Sequence, residues 1–179
     1  MTDESGRTLA DVWRIVDQAG ISVALIGAAA LAVRGVSRST ADIDLLTTST
    51  RVLDPALWAE LAPGLTADVR RGDGSDPLAG IVRVSGAGAR DVDLVVAKGA
   101  WARDIVERAE QVAGLPIRAA RAADLILLKL YAGGSQDCWD IEQLLAAPDR
   151  PSLIADVDAH IEALPVAART LWARLRPVH

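Results

Sequence analysis

Residues 37-SRSTADIDLLTT-48 set Asp42 and Asp44 on either side of Ile43 and run directly into Leu45-Leu46. In a β-strand, side chains at i and i+2 leave the same face, about 7 Å apart. Asp42 and Asp44 therefore share one face while Ile43 and Leu45 pack the other. Two carboxylates so close repel unless one takes a proton or both share a cation. Two divalent ions satisfy both, and oxygen donors suit magnesium. The plain structural alternative is a strand end whose aspartates reach solvent or pair with nearby arginines.

Two neighbouring features bear on that choice. Residues 90-RDVDLVVA-97 repeat the pattern, with Asp91 and Asp93 on one face and Val92, Leu94 and Val96 on the other. A strand of this kind beside the first delivers a third carboxylate, and Asp93, which leads the apolar run, is the better placed. Upstream, 21-ISVALIG-27 reads as a short buried strand that stops on a glycine. The small-residue stretch 28-AAALAVRG-35 reads as a helix ended by Gly35. The strand–glycine–helix junction offers free backbone N–H groups and a positive helix end, which suit a phosphate.

With these parts in hand, 26-IGAAALAVRGVSRSTADIDLL-46 resembles the signature of the DNA polymerase beta-like nucleotidyltransferase superfamily. That signature is a glycine with a small residue, a short helix, aspartates around one apolar residue, and a third aspartate on a later strand. The form Arg38-x-Thr40-x-Asp42-Ile43-Asp44 looks most like the AbiEii-type toxins of type IV toxin–antitoxin systems. Residues 124-DLILLKLYAGGSQDCWDIEQLL-145 are similar to a helical block of the same relatives. The likeness covers roughly 24–47, 90–97 and 124–145. The second junction position departs from the pattern: Ala28 stands where Ser or Gly is usual and offers only its backbone N–H.

The resemblance implies nucleotidyl transfer from an NTP with two Mg2+ ions, Mn2+ being the alternative. Asp42 and Asp44 would hold both ions, and Asp93 would complete the site and help take the acceptor's proton. Gly27, Ala28, Arg38, Ser39 and Thr40 would lie along the triphosphate, and the missing junction hydroxyl either weakens the grip on the nucleotide or is made up by Ser37 and Ser39. The acceptor implied is tRNA or a protein, with a cognate antitoxin as partner. Three rivals remain: an antibiotic-modifying nucleotidyltransferase with a small-molecule acceptor, a glycosyltransferase using D-x-D, and a non-catalytic interaction subunit that keeps the fold. Only one strand precedes the D-x-D here, which counts against the glycosyltransferase.

The helical block adds two residues. Lys129 interrupts the apolar stretch LILLKLYA and needs an anionic partner or a route to water. One reading sets Lys129 on a nucleotide phosphate, with Asp137 orienting it or a substrate hydroxyl. The other makes Lys129–Asp137 a structural ion pair, or Asp137 a helix cap with Asp140 at the third helical position. Arg38 is open in the same way, to triphosphate or to a neighbouring aspartate.

The whole chain sets the bounds. Its 179 residues are 51% apolar, enough for a core, and no apolar run is long enough to span a bilayer. The polar N-terminus is unlike a targeting peptide, and a single cysteine supports neither a disulfide framework nor a zinc cluster. These features predict a cytoplasmic protein. The net charge of −5 argues against broad, non-specific grip on nucleic acid. The pattern predicts an α+β fold: a small mixed β-sheet core flanked by helices over 1–118, then a helical C-terminal lobe over 119–179 packed on it. Within the core, a helix is expected over 55–62, a loop over 63–80, and a glycine-bearing hairpin joining 81–85 to 91–97. Trp13, Trp101 and Trp172 read as core.

Overall fold

The parallel pairing of two short strands organises the molecule. The computed structural model describes residues 6–37, 40 and 42–176. Its sheet consists of β1 (Ala24–Ile26), β2 (Ile43–Thr47), β3 (Leu65–Arg71), β4 (Leu78–Gly86) and β5 (Val92–Ala97), in the order β1-β2-β5-β4-β3. Strands β2 and β5 run parallel, and every other pair is antiparallel. The register sets Ile43 opposite Val92, Asp44 opposite Asp93 and Leu45 opposite Leu94. Because side chains alternate, apolar and acidic positions of the two strands sort onto opposite faces.

The apolar face carries Ile43, Leu45, Val92, Leu94 and Val96, with Val82 and Val84 of β4, all buried. Helix α1 (Arg7–Gln18) packs on β4 and β5, burying Val12, Ile15 and Val16. Helices α2 (Gly27–Val33) and α3 (Ala100–Arg108) flank the sheet. The helical half is α4 (Ala122–Ala132), α5 (Ser135–Leu145), α6 (Arg150–Asp158) and α7 (Val166–Leu175). Leu125, Ile126, Leu127 and Leu130 of α4 are buried, and the helix contacts α2, α5, α6 and α7. A helix apolar on all sides is one enclosed on all sides. This is the mixed-sheet α+β architecture that the sequence pattern predicts. No helix among the described residues is long and apolar enough to cross a membrane.

A backbone seam ties the two halves together. The Leu25 N–H donates to the Arg118 carbonyl at 2.8 Å, and the Ala120 N–H donates to the Leu25 carbonyl at 3.0 Å. Arg34 Nε adds a bond to the Ala120 carbonyl at 3.0 Å. Segment 118–120 thus lies along the outer edge of β1, directly ahead of α4.

Three expectations are corrected. The stretch 63–80 is not a loop, since β3 occupies Leu65–Arg71. Leu65, Ala67 and Val69 alternate half-buried with exposed Thr66, Asp68 and Arg70, so the period-2 signal is weak at this sheet edge. Backbone pairing with β4 along its whole length makes the strand. In place of a helix over 55–62 the chain makes two 3-10 turns, Thr50–Leu53 and Pro55–Trp58. Here the Ala59 and Leu61 N–H groups bond back three residues, to the Ala56 and Trp58 carbonyls, and the Ala62 N–H goes to Asp11 Oδ2 at 2.8 Å, so no α-helical ladder forms. Finally, the sequence pattern predicts one helix over 101-WARDIVERAEQVA-113, but α3 stops at Arg108, because Glu110 exchanges backbone hydrogen bonds with Ala119 at 2.9 and 2.8 Å.

Helices α3 and α4 share a buried ion pair, Arg108 Nη2 to Asp124 Oδ1 at 2.6 Å, with Asp124 only 1% exposed. Burial pushes the Asp124 carboxyl above its usual value, against the opposing pull of Arg108. Removing the cation alone leaves a charge with nowhere to go. Arg108→Ala is expected to lower stability by about 3–5 kcal/mol in urea denaturation. The double variant Arg108→Ala/Asp124→Leu recovers most of that loss, because the unpaired charge goes with the aspartate.

Candidate active site

The face of the sheet opposite α1 carries the acidic residues. Asp44 stands in β2 beside Asp93 in β5, and Asp42 immediately precedes β2. Like charges directly opposite each other destabilise a sheet unless something neutralises them. Here the neutraliser is Arg83 of β4, the register partner of Asp93 on the next strand. Its Nε donates to Asp93 Oδ1 at 2.8 Å and its Nη2 to Oδ2 at 2.6 Å. The same Nη2 lies 3.5 Å from Asp42 Oδ2. The hydrogen bonds and charge of Asp93 hold the guanidinium above its already high usual value, so it stays charged at any working pH.

Gly27 is fixed by Asp44. It follows β1, whose Ile26 pairs with Asp44, and its backbone takes φ +63°. A Cβ added there would lie 2.0 Å from Asp44 Oδ2. The glycine therefore supplies a left-handed turn and clears space for a carboxylate. Ala28, next in α2, is buried. Thr40 is engaged locally: its Oγ1 donates to the Asp42 carbonyl at 3.1 Å and accepts from the Asp42 N–H at 3.3 Å, shaping the entry to β2. Arg38 and Ser39 lie outside the described residues.

Gly27 also borders a cavity of about 440 Å3 between the sheet and the helices. Leu46 and Val95 form its sheet wall, while Trp101 of α3 and Leu128, Lys129 and Tyr131 of α4 close it. The Trp101 and Tyr131 rings lie 4.8 Å apart between centroids, tilted by 39°. Lys129 Nζ reaches Asp137 Oδ1 at 2.8 Å and Asp140 Oδ2 at 2.7 Å. Burial pulls the ammonium down, but the hydrogen bonds and charges of both aspartates outweigh it and hold Lys129 above its usual value. Asp137 also lines the cavity and accepts from the Gly134 N–H at 3.0 Å, so it is Asp137, not Asp140, that sits in the first turn of α5. Asp140, fully buried, is the second partner of Lys129. The other lysine, Lys98, is structural: its Nζ donates to the carbonyls of Asp73 and Asp76 at 2.9 and 2.8 Å.

Three residues, Arg83, Trp101 and Tyr131, belong to the site without being singled out by the sequence pattern. Arg83 carries a legible signal, being a lone charge inside the apolar run 81-IVRVS-85, and the hairpin joining β4 to β5 sets it against Asp93. Trp101, half-buried, packs against the core as expected and also lines the cavity, a second role that no spacing rule marks. A larger cavity, about 540 Å3, lies at the far end of α2. Arg34 pairs there with Glu110 at 3.0 Å and Arg121 with Asp156; the three carboxylates line neither cavity, and it is the smaller one that reaches Gly27, against which Asp44 lies.

The donor set fits a hard divalent cation in type, being all carboxylate oxygen on neighbouring backbone positions. In arrangement, no three His, Cys, Asp or Glu side chains among the described residues converge as ligands. The guanidinium of Arg83 stands against Asp93 and Asp42 instead.

No protein-family model matches the sequence, and a search of curated proteins finds no match. Solved structures do match. The crystal structure of ANT(2'')-Ia in complex with adenylyl-2''-tobramycin aligns with a TM-score of 0.54 at 15% identity, over 86% of this chain and 95% of that one. The solution structure of the same antibiotic-resistance factor gives 0.56 at 15% identity, over 94% and 92%. JHP933 from Helicobacter pylori gives 0.51 at 16% identity, over 96% and 91%. At such identities the likeness is one of fold. The chain therefore has the nucleotidyltransferase fold, a five-stranded mixed sheet flanked by helices.

Gly27→Ala imposes a left-handed penalty of about 1–2 kcal/mol on a non-glycine residue, before its collision with Asp44. A loss of stability of at least that size is expected in thermal or chemical unfolding.

Proposed function

We propose that this protein transfers a nucleotidyl group from an NTP to a hydroxyl acceptor, with Asp42, Asp44 and Asp93 as the catalytic carboxylates. One observation carries the reading. Asp44 and Asp93 are register partners, and Gly27, whose missing side chain leaves room for the Asp44 carboxylate, lines a cavity together with Lys129 and an aromatic pair. A divalent ion bound by the three carboxylates would neutralise charge on the transferring phosphoryl group. Asp93 accepts the proton of the acceptor hydroxyl as its oxygen bonds to the α-phosphorus. The bond from that phosphorus to the bridging oxygen breaks, and pyrophosphate leaves. The backbone N–H groups of Gly27 and Ala28 hold the phosphates, with Arg38, Ser39 and Thr40 along the same path. Lys129, kept charged and oriented by Asp137, faces the nucleotide. Tyr131 and Trp101 offer a stacking wall for the base.

A cationic, polyhydroxylated small molecule is the favoured acceptor. The net charge of −5 repels a polyanion and attracts a cation. ANT(2'')-Ia, of the same fold and matched over most of both chains, is seen in complex with adenylyl-2''-tobramycin. The second reading, a toxin-type enzyme acting on tRNA or a protein and held by an antitoxin, rests on the Arg38-x-Thr40-x-Asp42-Ile43-Asp44 stretch.

The test incubates the protein with each labelled NTP and Mg2+, separately with a cationic polyhydroxylated amine, total tRNA and cell protein. Label on the small acceptor is expected, falling at least about a hundredfold in Asp42→Ala/Asp44→Ala. Label on tRNA alone would favour the toxin reading, and none on any acceptor would sink the transferase. Tyr131→Ala is expected to raise the KM for NTP about tenfold, the worth of one lost stacking contact.

A further inference from the structure

Across β2, β5 and β4, Asp44, Asp93 and Arg83 occupy one continuous row of register partners. The Arg83 fork grips both oxygens of Asp93, through Nε at 2.8 Å and Nη2 at 2.6 Å, and Nη2 reaches toward Asp42 at 3.5 Å. A planar guanidinium matched to a carboxylate by two parallel bonds is a specific arrangement, and it draws on the lone pairs that a divalent ion would take. Two cations at that distance also repel. Arg83 is 48% exposed at its side chain, against 15% for Asp93, so the guanidinium is the more open of the two to water. The aspartate is the fixed partner and the arginine the removable one.

We propose that Arg83 is a positioning residue that serves as an internal counter-cation, holding Asp93 and Asp42 until a divalent ion binds and then leaving Asp93 to it. Metal affinity is in consequence set by competition with a residue of the chain itself. The proposal rests on the reading that these carboxylates take a divalent ion. It goes further in naming what the ion displaces.

Mn2+ binding to the full chain without nucleotide, followed by electron paramagnetic resonance of the free ion, gives the test. Arg83→Gln is expected to bind Mn2+ about fivefold more tightly than the unaltered protein, the scale of one partly exposed ion pair. Arg70→Gln removes the same charge from neighbouring β3, where Arg70 pairs with Asp68, and is expected to change affinity by less than about twofold under screening salt. An equal gain in both variants overturns the proposal, since charge alone then suffices. So does an Arg83→Gln affinity that is unchanged or weaker. A second readout uses the unaltered protein: the side-chain Nε–H resonance of Arg83 is expected to lose its exchange protection as Mg2+ saturates the site. A signal that stays paired at saturation overturns the displacement. Binding of Mn2+ with no effect of Arg83→Gln overturns this proposal alone, whereas absence of Mn2+ binding in every variant overturns it together with the metal reading.

Discussion

The structure turns on a repulsion. The parallel register of β2 and β5 makes a continuous apolar face out of Ile43, Leu45, Val92 and Leu94, and it thereby forces Asp44 and Asp93 side by side. The two outcomes come from one alternation and cannot be separated: a slip of one residue would bury the acids and expose the core. The sheet keeps the register because the apolar face is worth more than the repulsion, and because Arg83 on the third strand neutralises Asp93. Fold and candidate site are two sides of the same pairing.

Much of this was legible in the sequence. Acidic residues two apart ahead of apolar runs gave both strands and their facing, and the glycine-bearing segment 86–90 gave the hairpin that carries Arg83 to Asp93. The edge strand β3 was not legible, since at a sheet margin Leu65, Ala67 and Val69 need be only half-buried and the polar residues between them mask the period. Trp101 and Tyr131 also escaped, because whether an aromatic on an amphipathic helix fills the core or walls a cavity depends on the packing of two helices distant in sequence. The double pairing of Lys129 was half visible. Asp137 was the named partner, while Asp140 is brought round by the helical turn of α5.

Gly27 has a sharper role than a phosphate-binding glycine. Its missing side chain is the space in which the Asp44 carboxylate lies, and its positive φ turns the chain from β1 into α2. The departure at Ala28 matters less on this view, because what the junction must supply to the acidic face is room, and Gly27 supplies it.

The seam between Leu25 and residues 118–120 has a consequence for synthesis. Leu25 is made well before its partners, and the outer edge of β1 stays open until Arg118 and Ala120 have left the ribosome. Through that interval a short, buried-type strand presents unpaired backbone groups, the kind of edge that invites pairing with another chain. The nascent core thus cannot be sealed before the helical half begins to emerge. Truncation ahead of the seam would leave an aggregation-prone sheet, and the long sequence separation of the closing contact makes a slow final folding step the natural outcome.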